Sequence, residues 1–176
     1  MEVKCHQFYS LVLRQVLAAQ RQSCFTKKGW VVGLADLDIV GLEQVQKAMD
    51  KQRSCVLVMN VTDSESVKNA FIEFNTFNVK SLNVLSDCAC ILRMGNNETI
   101  SLPDQHKILH VNISGILNCI HYALPALKQS QKARIISMSS ASAIYGTPQL
   151  AVYSASKHAV RGLTESLNIE LVHKAL

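Results

Sequence analysis

From Trp30 onward, short apolar runs alternate with segments of helical periodicity, and this alternation limits the possible folds more than any other feature of the chain. The apolar runs predict strands at about residues 30–35, 55–60, 82–86 and 133–138. The periodic segments predict helices at about residues 41–52, 63–78, 103–128 and 151–173. Because strands that alternate with helices pair in parallel, the pattern predicts an α/β fold with a mostly parallel sheet.

The first 28 residues allow two interpretations. One face of an amphipathic helix could carry Phe8, Leu11, Val12, Val16 and Ala19, whereas residues 7–13 could instead form a strand. We favour the helix, because residues 16–22 continue the pattern without a glycine or a proline. In that case the sheet lacks its central strand, and unpaired strand edges remain in the middle of the sheet.

Composition and charge narrow the class of protein. The chain has 176 residues, 48% of them hydrophobic and 18% charged, which fits one globular domain over residues 1–176 with a divergent segment at 1–28. The net charge is +5, but the basic residues are scattered, so we expect no nucleic-acid partner. The apolar stretch 8–19 is interrupted by Arg14 and Gln15, so we expect no membrane span and a cytoplasmic protein.

Six cysteines occur in apolar or strand-like surroundings, which favours reduced, mostly buried thiols over disulfides. They are Cys5, Cys24, Cys55, Cys88, Cys90 and Cys119. Cys88 and Cys90 are close in sequence, but no second pair of Cys or His follows at a spacing suited to zinc. The sequence therefore predicts no metal site.

Tyr153 and Lys157 lie four residues apart in the last predicted helix, so their side chains share one face. An ammonium close to a phenol favours the ionised phenol, which makes proton transfer possible near neutral pH. Ser140 lies thirteen residues before the tyrosine and precedes a loop of small and turn residues that could bring its hydroxyl beside the phenol. Ser139 and Ser142 are the competing serines. The pattern predicts a polar site for a carbonyl or an alcohol.

The segment 133–170, with its serine, Tyr-x-x-x-Lys and following helix, resembles the catalytic core of the short-chain dehydrogenase/reductase family. Residues 110–115, HVNISG, resemble the family's helix with its catalytic asparagine, and residues 30–38 resemble its second strand. This resemblance implies a catalytic set of Asn112, Ser140, Tyr153 and Lys157. The tyrosine would exchange a proton with the substrate, the serine would hold the substrate oxygen, the lysine would bind the nicotinamide ribose and assist the tyrosine, and the asparagine would keep a water for proton relay.

The same resemblance implies a Rossmann-like fold of three αβα layers and an NAD(P)-dependent oxidoreductase. Hydride would pass between the nicotinamide cofactor and a small-molecule ketone or secondary alcohol. The residues implied in cofactor binding are Asp36, Asn60, Ala89, Tyr153 and Lys157. Asp36 would accept hydrogen bonds from the adenosine ribose and repel a 2′-phosphate, so NAD is favoured over NADP. In the family the helices matching 103–128 and 151–173 pair between subunits, which implies a homo-oligomer.

The chain departs from the family pattern in several places. The family's T-G-x-x-x-G-x-G turn, whose bare backbone admits the cofactor pyrophosphate, has no counterpart, because the first glycine here is Gly29. The family's Asn-Asn-Ala-Gly becomes Asp, Cys, Ala, Cys at residues 87–90, and Asn60 replaces an aspartate near the adenine. The family's last strands are expected to be absent. These departures support an alternative: a catalytically impaired remnant or partner-binding module without a competent cofactor site.

Overall fold

The computed structural model of the chain describes residues 7–11, 26–76 and 81–172. Strands and helices alternate along it as β1 Gln7–Leu11, β2 Val31–Asp36, α1 Ile39–Gln46, β3 Ser54–Val58, α2 Ser64–Asn75, β4 Val84–Asp87, α3 Leu102–Leu109, α4 Gly115–Leu127, β5 Arg134–Ser137 and α5 Ala151–Val172. A π-helical turn, His110–Ser114, joins α3 to α4. The strands and helices predicted from Trp30 onward are confirmed, although α1 ends several residues earlier than predicted.

The five strands form one parallel sheet in the order β3-β2-β1-β4-β5. In its centre, Tyr9 of β1 is in register with Gly33 of β2 and with Leu85 of β4. The order of strands reverses between β1 and β4, so the chain leaves the centre of the sheet in both directions. This is the strand order of a Rossmann-like fold, and the predicted fold class is confirmed.

Two apolar clusters cover the two faces of the sheet, because successive side chains of a strand point to opposite faces. On one face Val32 and Leu34 pack with Leu42 of α1. On the other face the buried side chains of α2, α4 and α5, among them Phe74 and Val160, form the larger cluster. The sheet is therefore the middle of three layers. Among the described helices, none combines the length and the apolarity needed to cross a bilayer.

The N-terminal segment requires a correction. Residues 7–11, for which we favoured a helix over a strand, form strand β1 and pair with both β2 and β4. The rest of the predicted helix lies outside the described residues. A short apolar run suits a strand or a helix equally well, and the pairing positions offered by two buried neighbours decide between them. The sheet consequently has its central strand, and the predicted gap in its middle is wrong.

Candidate active site

The candidate site lies at the carboxyl ends of the strands, all of which meet at one edge because the sheet is parallel. Asp36 ends β2, Asp87 ends β4 and Ser137 ends β5. In open parallel sheets, ligands bind outside this edge at the point where the strand order reverses. Here that point lies between β1 and β4, beside Asp87.

Lys157 is the most unusual side chain of the site, because only 1% of it is exposed. Its Nζ donates a hydrogen bond of 2.8 Å to the carbonyl of Met138, just after β5. The hydroxyl of Ser139 donates to the backbone carbonyl of Lys157 at 3.1 Å. These two bonds attach α5 to the end of β5. They also place Nζ 5.7 Å from the centre of the half-buried Tyr153 ring, within the range of a cation–π contact.

Asn112 is fully buried in the π-helical turn, where the N–H of Gly115 bonds to the carbonyl of His110. Its Oδ1 accepts from the N–H of Ile91 at 2.7 Å, and its Nδ2 donates to the carbonyl of Ile91 at 3.0 Å. The same Nδ2 donates to the hydroxyl of Ser156 at 3.0 Å. Both N–H groups of the amide are therefore engaged by protein. The side chain connects the segment after β4 to α5, one residue before Lys157.

The three candidate serines have different partners. Ser140 opens a short 3₁₀ turn, and its hydroxyl oxygen accepts from the N–H of Ser142 at 3.2 Å. Ser142 is buried, and its own hydroxyl lies 3.3 Å from that of Thr147. Ser139 holds α5, as described above. Ser140 accepts rather than donates in its bond, so its proton stays available for a substrate oxygen.

The contacts thus bring Asn112, Tyr153 and Lys157 together on and against α5. Ser140 comes directly after Met138 and Ser139 in the chain, and both of these residues bond to Lys157. The backbone of Ser140 therefore lies close to this group.

The residues predicted to bind the cofactor lie along the same edge. The Asp36 carboxylate is buried and accepts from the N–H of Asp38 at 3.1 Å. Ala89 is also buried and donates its N–H to Asp87. Asn60 uses Oδ1 to accept from the N–H and the hydroxyl of Thr62, so its side chain closes a turn after β3. The segment that follows β1, residues 12–25, lies outside the described residues.

Asp87 is a site residue whose importance sequence reasoning missed, since we interpreted it only as a departure from the family's amide. Its side chain is completely buried. Oδ1 accepts from the N–H of Ala89 at 3.1 Å, whereas Oδ2 has no hydrogen-bond partner among the described residues. Burial raises the pKa of Asp87 to about 6, although the Ala89 N–H, the charge of Lys157 and the Cys119 thiol all act to lower it. Its position could have indicated this role, because a carboxylate at the end of an apolar strand is costly to bury unless it has a partner.

The thiols near the site are held in their neutral form. Burial, and next the charge of Asp87, raise the pKa of Cys119 well above its usual value. Burial also raises the pKa of Cys88, which is half-buried and lies 3.9 Å from the Ser86 hydroxyl. Within the described part of the chain, no three or more His, Cys, Asp or Glu side chains are grouped so that they could hold a metal ion.

Comparison with known proteins places these features in a family. A family model described as short chain dehydrogenase matches residues 18–175. An uncharacterized oxidoreductase of Thermotoga maritima is 31% identical over 151 residues, which cover 84% of this chain and 59% of that protein. A cyclohexanol dehydrogenase of an Acinetobacter species is 25% identical over 143 residues, which cover 78% of this chain and 57% of that protein.

A solved structure has the same fold. The solved structure of ElxO with NADP bound superposes on this chain with a TM-score of 0.86 at 22% identity, and the match covers 97% of this chain and 69% of the other. The chain described here spans 59% and 57% of the length of the two curated relatives named above.

Proposed function

Because this chain belongs to the short-chain dehydrogenase/reductase family, we propose that it is an NAD(P)-dependent oxidoreductase acting on a ketone or a secondary alcohol. The observation that carries the proposal is the position of Lys157, which is buried, bonded to Met138 and 5.7 Å from the ring centre of Tyr153. A buried ammonium can act on a nearby phenol and so assist proton transfer, whereas the charge of an exposed lysine is screened by water. Two similar proteins, a cyclohexanol dehydrogenase and ElxO, whose solved structure contains NADP, support this class of reaction.

The residues at the sheet edge fit a dinucleotide in part. Two buried oxygens without a described partner, Asp87 Oδ2 and Ser137 Oγ, lie at the strand ends beside the reversal of strand order. Asp36 would hold the adenosine ribose, and its carboxylate favours NAD over NADP. Lys157 would hold the nicotinamide ribose. No glycine occurs between β1 and Gly29, so we expect weaker pyrophosphate binding than a glycine-rich turn provides.

The bound nicotinamide would supply or accept the hydride, and the chain's own side chains would move the proton. In the reducing direction Tyr153 would donate its phenolic proton to the carbonyl oxygen, and in the oxidising direction it would take that proton back. Ser140 would donate a hydrogen bond to the same oxygen. The ammonium of Lys157 would stay beside the phenol, and Asn112 would keep α5 in place through Ser156.

Cofactor titration and turnover together test the proposal. We expect the quenching of NADH and NADPH fluorescence to report binding, with the tighter constant for NADH, and a cyclic ketone to be reduced. Tyr153→Phe should lose about 100-fold or more in turnover while cofactor binding persists. Tyr122→Phe is the matched control, because its hydroxyl bonds to Ser64 on an exposed surface. No binding at millimolar cofactor, or full turnover by Tyr153→Phe, contradicts the proposal.

A second candidate is a partner-binding remnant of such an enzyme, and two observations favour it. The segment after β1 lacks glycine, and a carboxylate stands at position 87 in place of an amide. We propose that such a module would self-associate through the continuous helix α3–α4 and through α5. Sedimentation of the purified chain tests this: a stable dimer that binds no cofactor supports it, and a monomer that turns over a ketone contradicts it.

A further inference from the structure

Asp87 and Lys157 are two ionisable side chains buried at the same end of the sheet. Asp87 is 0% exposed and Lys157 is 1% exposed. The backbone of Met138 connects them: its N–H donates to the carbonyl of Asp87 at 2.9 Å, and its carbonyl accepts from Nζ of Lys157 at 2.8 Å. Met138 therefore connects the main chain at Asp87 to the ammonium of Lys157, and both ionisable side chains are shielded from water.

Each of these groups has unused hydrogen-bonding capacity. An ammonium has three N–H donors, and the hydrogen bond described for Lys157 is the one to Met138. Asp87 Oδ2 has no partner among the described residues, and the same holds for the Oγ of Ser137, the residue in register with Asp87 on the neighbouring strand. A buried carboxylate oxygen without a donor is costly, and a nearby ammonium with spare donors can relieve that cost.

The other described ionisable groups near Asp87 are neutral near pH 7, so Lys157 is the charged partner of Asp87. The thiol of Cys119, in α4, contacts the carboxyl group of Asp87. Cys88 is the residue directly after Asp87 in the chain. Burial raises the pKa of both thiols, so neither is charged near neutral pH. Among the described residues, α5 supplies the positive charge that acts on Asp87, through Lys157.

We propose that Asp87 is a positioning residue that, once ionised, draws the ammonium of Lys157 toward the end of β4 and away from Tyr153. When the carboxyl group is protonated, Lys157 stays with Met138 and the phenol. The site thus has two charge arrangements, and pH selects between them. This inference rests on the proposed function for its catalytic consequence, whereas the coupling of the two side chains is a property of the folded chain alone.

The coupling is tested first without cofactor, by NMR titration of the full chain carrying ¹³Cγ-labelled aspartate. The signal missing in Asp87→Asn identifies Asp87, and we expect its midpoint at about pH 6. In Lys157→Met the midpoint should rise by roughly one pH unit, because the stabilising charge is gone. Lys68→Met, which alters an exposed pair with Glu65, should leave the midpoint unchanged. An equal midpoint in Lys157→Met and the unaltered chain overturns the proposal.

A second measurement covers the case in which Lys157→Met does not fold. In the unaltered chain with ¹³Cε-labelled lysine, the Lys157 signal should move through a step with the Asp87 midpoint, and Asp87→Asn should abolish that step. A Lys157 signal that is flat across this range overturns the proposal. In turnover assays, the ratio of kcat between the unaltered chain and Asp87→Asn should fall as pH rises through about 6. A pH-independent ratio contradicts the catalytic role, and a chain without turnover contradicts the proposed function while the NMR result stands.

Discussion

The side-chain amide of Asn112 donates a hydrogen bond to the hydroxyl of Ser156 across 3.0 Å, and so joins the π-helical turn to α5. The Ser156 hydroxyl in turn donates to the carbonyl of Tyr153 at 2.6 Å. The buried asparagine thus reaches the proposed proton donor through one serine. Its other bonds, to the backbone of Ile91, hold the segment after β4 in the same assembly.

Replacing Asn112 should therefore be costly for stability. Asn112→Ala removes all three hydrogen bonds of this buried side chain and leaves the N–H and carbonyl of Ile91 without their partner. We expect a loss of about 2 to 4 kcal/mol in the free energy of unfolding, measured by urea denaturation. Ser156→Ala, which loses one of the three, should cost about 1 to 2 kcal/mol. An Asn112→Ala chain as stable as the unaltered one would show that these bonds do not hold the site together.

Two helical glycines should respond to alanine in opposite ways. A Cβ added to Gly115 would lie 2.7 Å from Cγ2 of Val61, so Gly115→Ala forces a shift between α4 and the loop after β3. We expect a destabilisation of about 1 to 3 kcal/mol. Gly162→Ala is the matched control, because nothing lies within 4 Å of its added Cβ, and it should stabilise α5 by about 0.5 to 1 kcal/mol. Thermal unfolding of both variants and of the unaltered chain tests this prediction. Equal shifts in Tm for the two variants would contradict the close contact at Gly115.

The stability of the chain should depend on pH through Asp87. Burial raises its pKa from 3.8 to about 6, so between these values the folded chain binds more protons than the unfolded chain. The free energy of unfolding should therefore decrease as pH rises through this window, by on the order of 3 kcal/mol. Denaturant titrations at pH 4 and pH 7 measure it. Asp87→Asn should lack this component, and identical pH dependence in both chains would show that Asp87 ionises normally.

Thiol labelling should separate the cysteines by burial. Burial raises the pKa of Cys55 to about 12, with a further contribution from the charge of Glu73, and it also raises that of Cys119. Both side chains are buried, whereas Cys90 is half-buried. In the folded chain at pH 8 we expect a maleimide to modify Cys90 well before Cys55 or Cys119, since the thiolate is the reactive form. Peptide mass spectrometry follows the order, and early labelling of Cys119 would reveal opening between α4 and β4.

The sequence correctly predicted the helices and strands whose apolar residues repeat at a regular spacing. Strands β2 to β5 and the helices between them follow from apolar periodicity, because each element shows its buried face in its own residues. Strand β1 was assigned wrongly for the opposite reason. Its five residues fit a helix as well as a strand, and their pairing with β2 and β4 depends on residues far along the chain.

The candidate site was predictable as a set of residue types but not as an arrangement. The spacing of Tyr153 and Lys157 predicts that their side chains share one face, but it does not predict that Lys157 is buried against Met138. Asp87 was visible only as an altered motif. Its burial depends on the packing of α4 against β4, two elements far apart in the sequence, which no local pattern encodes.

The central position of β1 has a consequence for the order of folding. Its partner β2 is the next described strand, but its other partner, β4, is made only after β3 and α2 have intervened. Joining the two halves of the sheet therefore requires closure of a long loop, a slow step in chains rich in distant contacts. Until that step is complete, one side of β1 offers free backbone groups to any extended neighbour. During synthesis we therefore expect this segment to be prone to aggregation until β4 has been made.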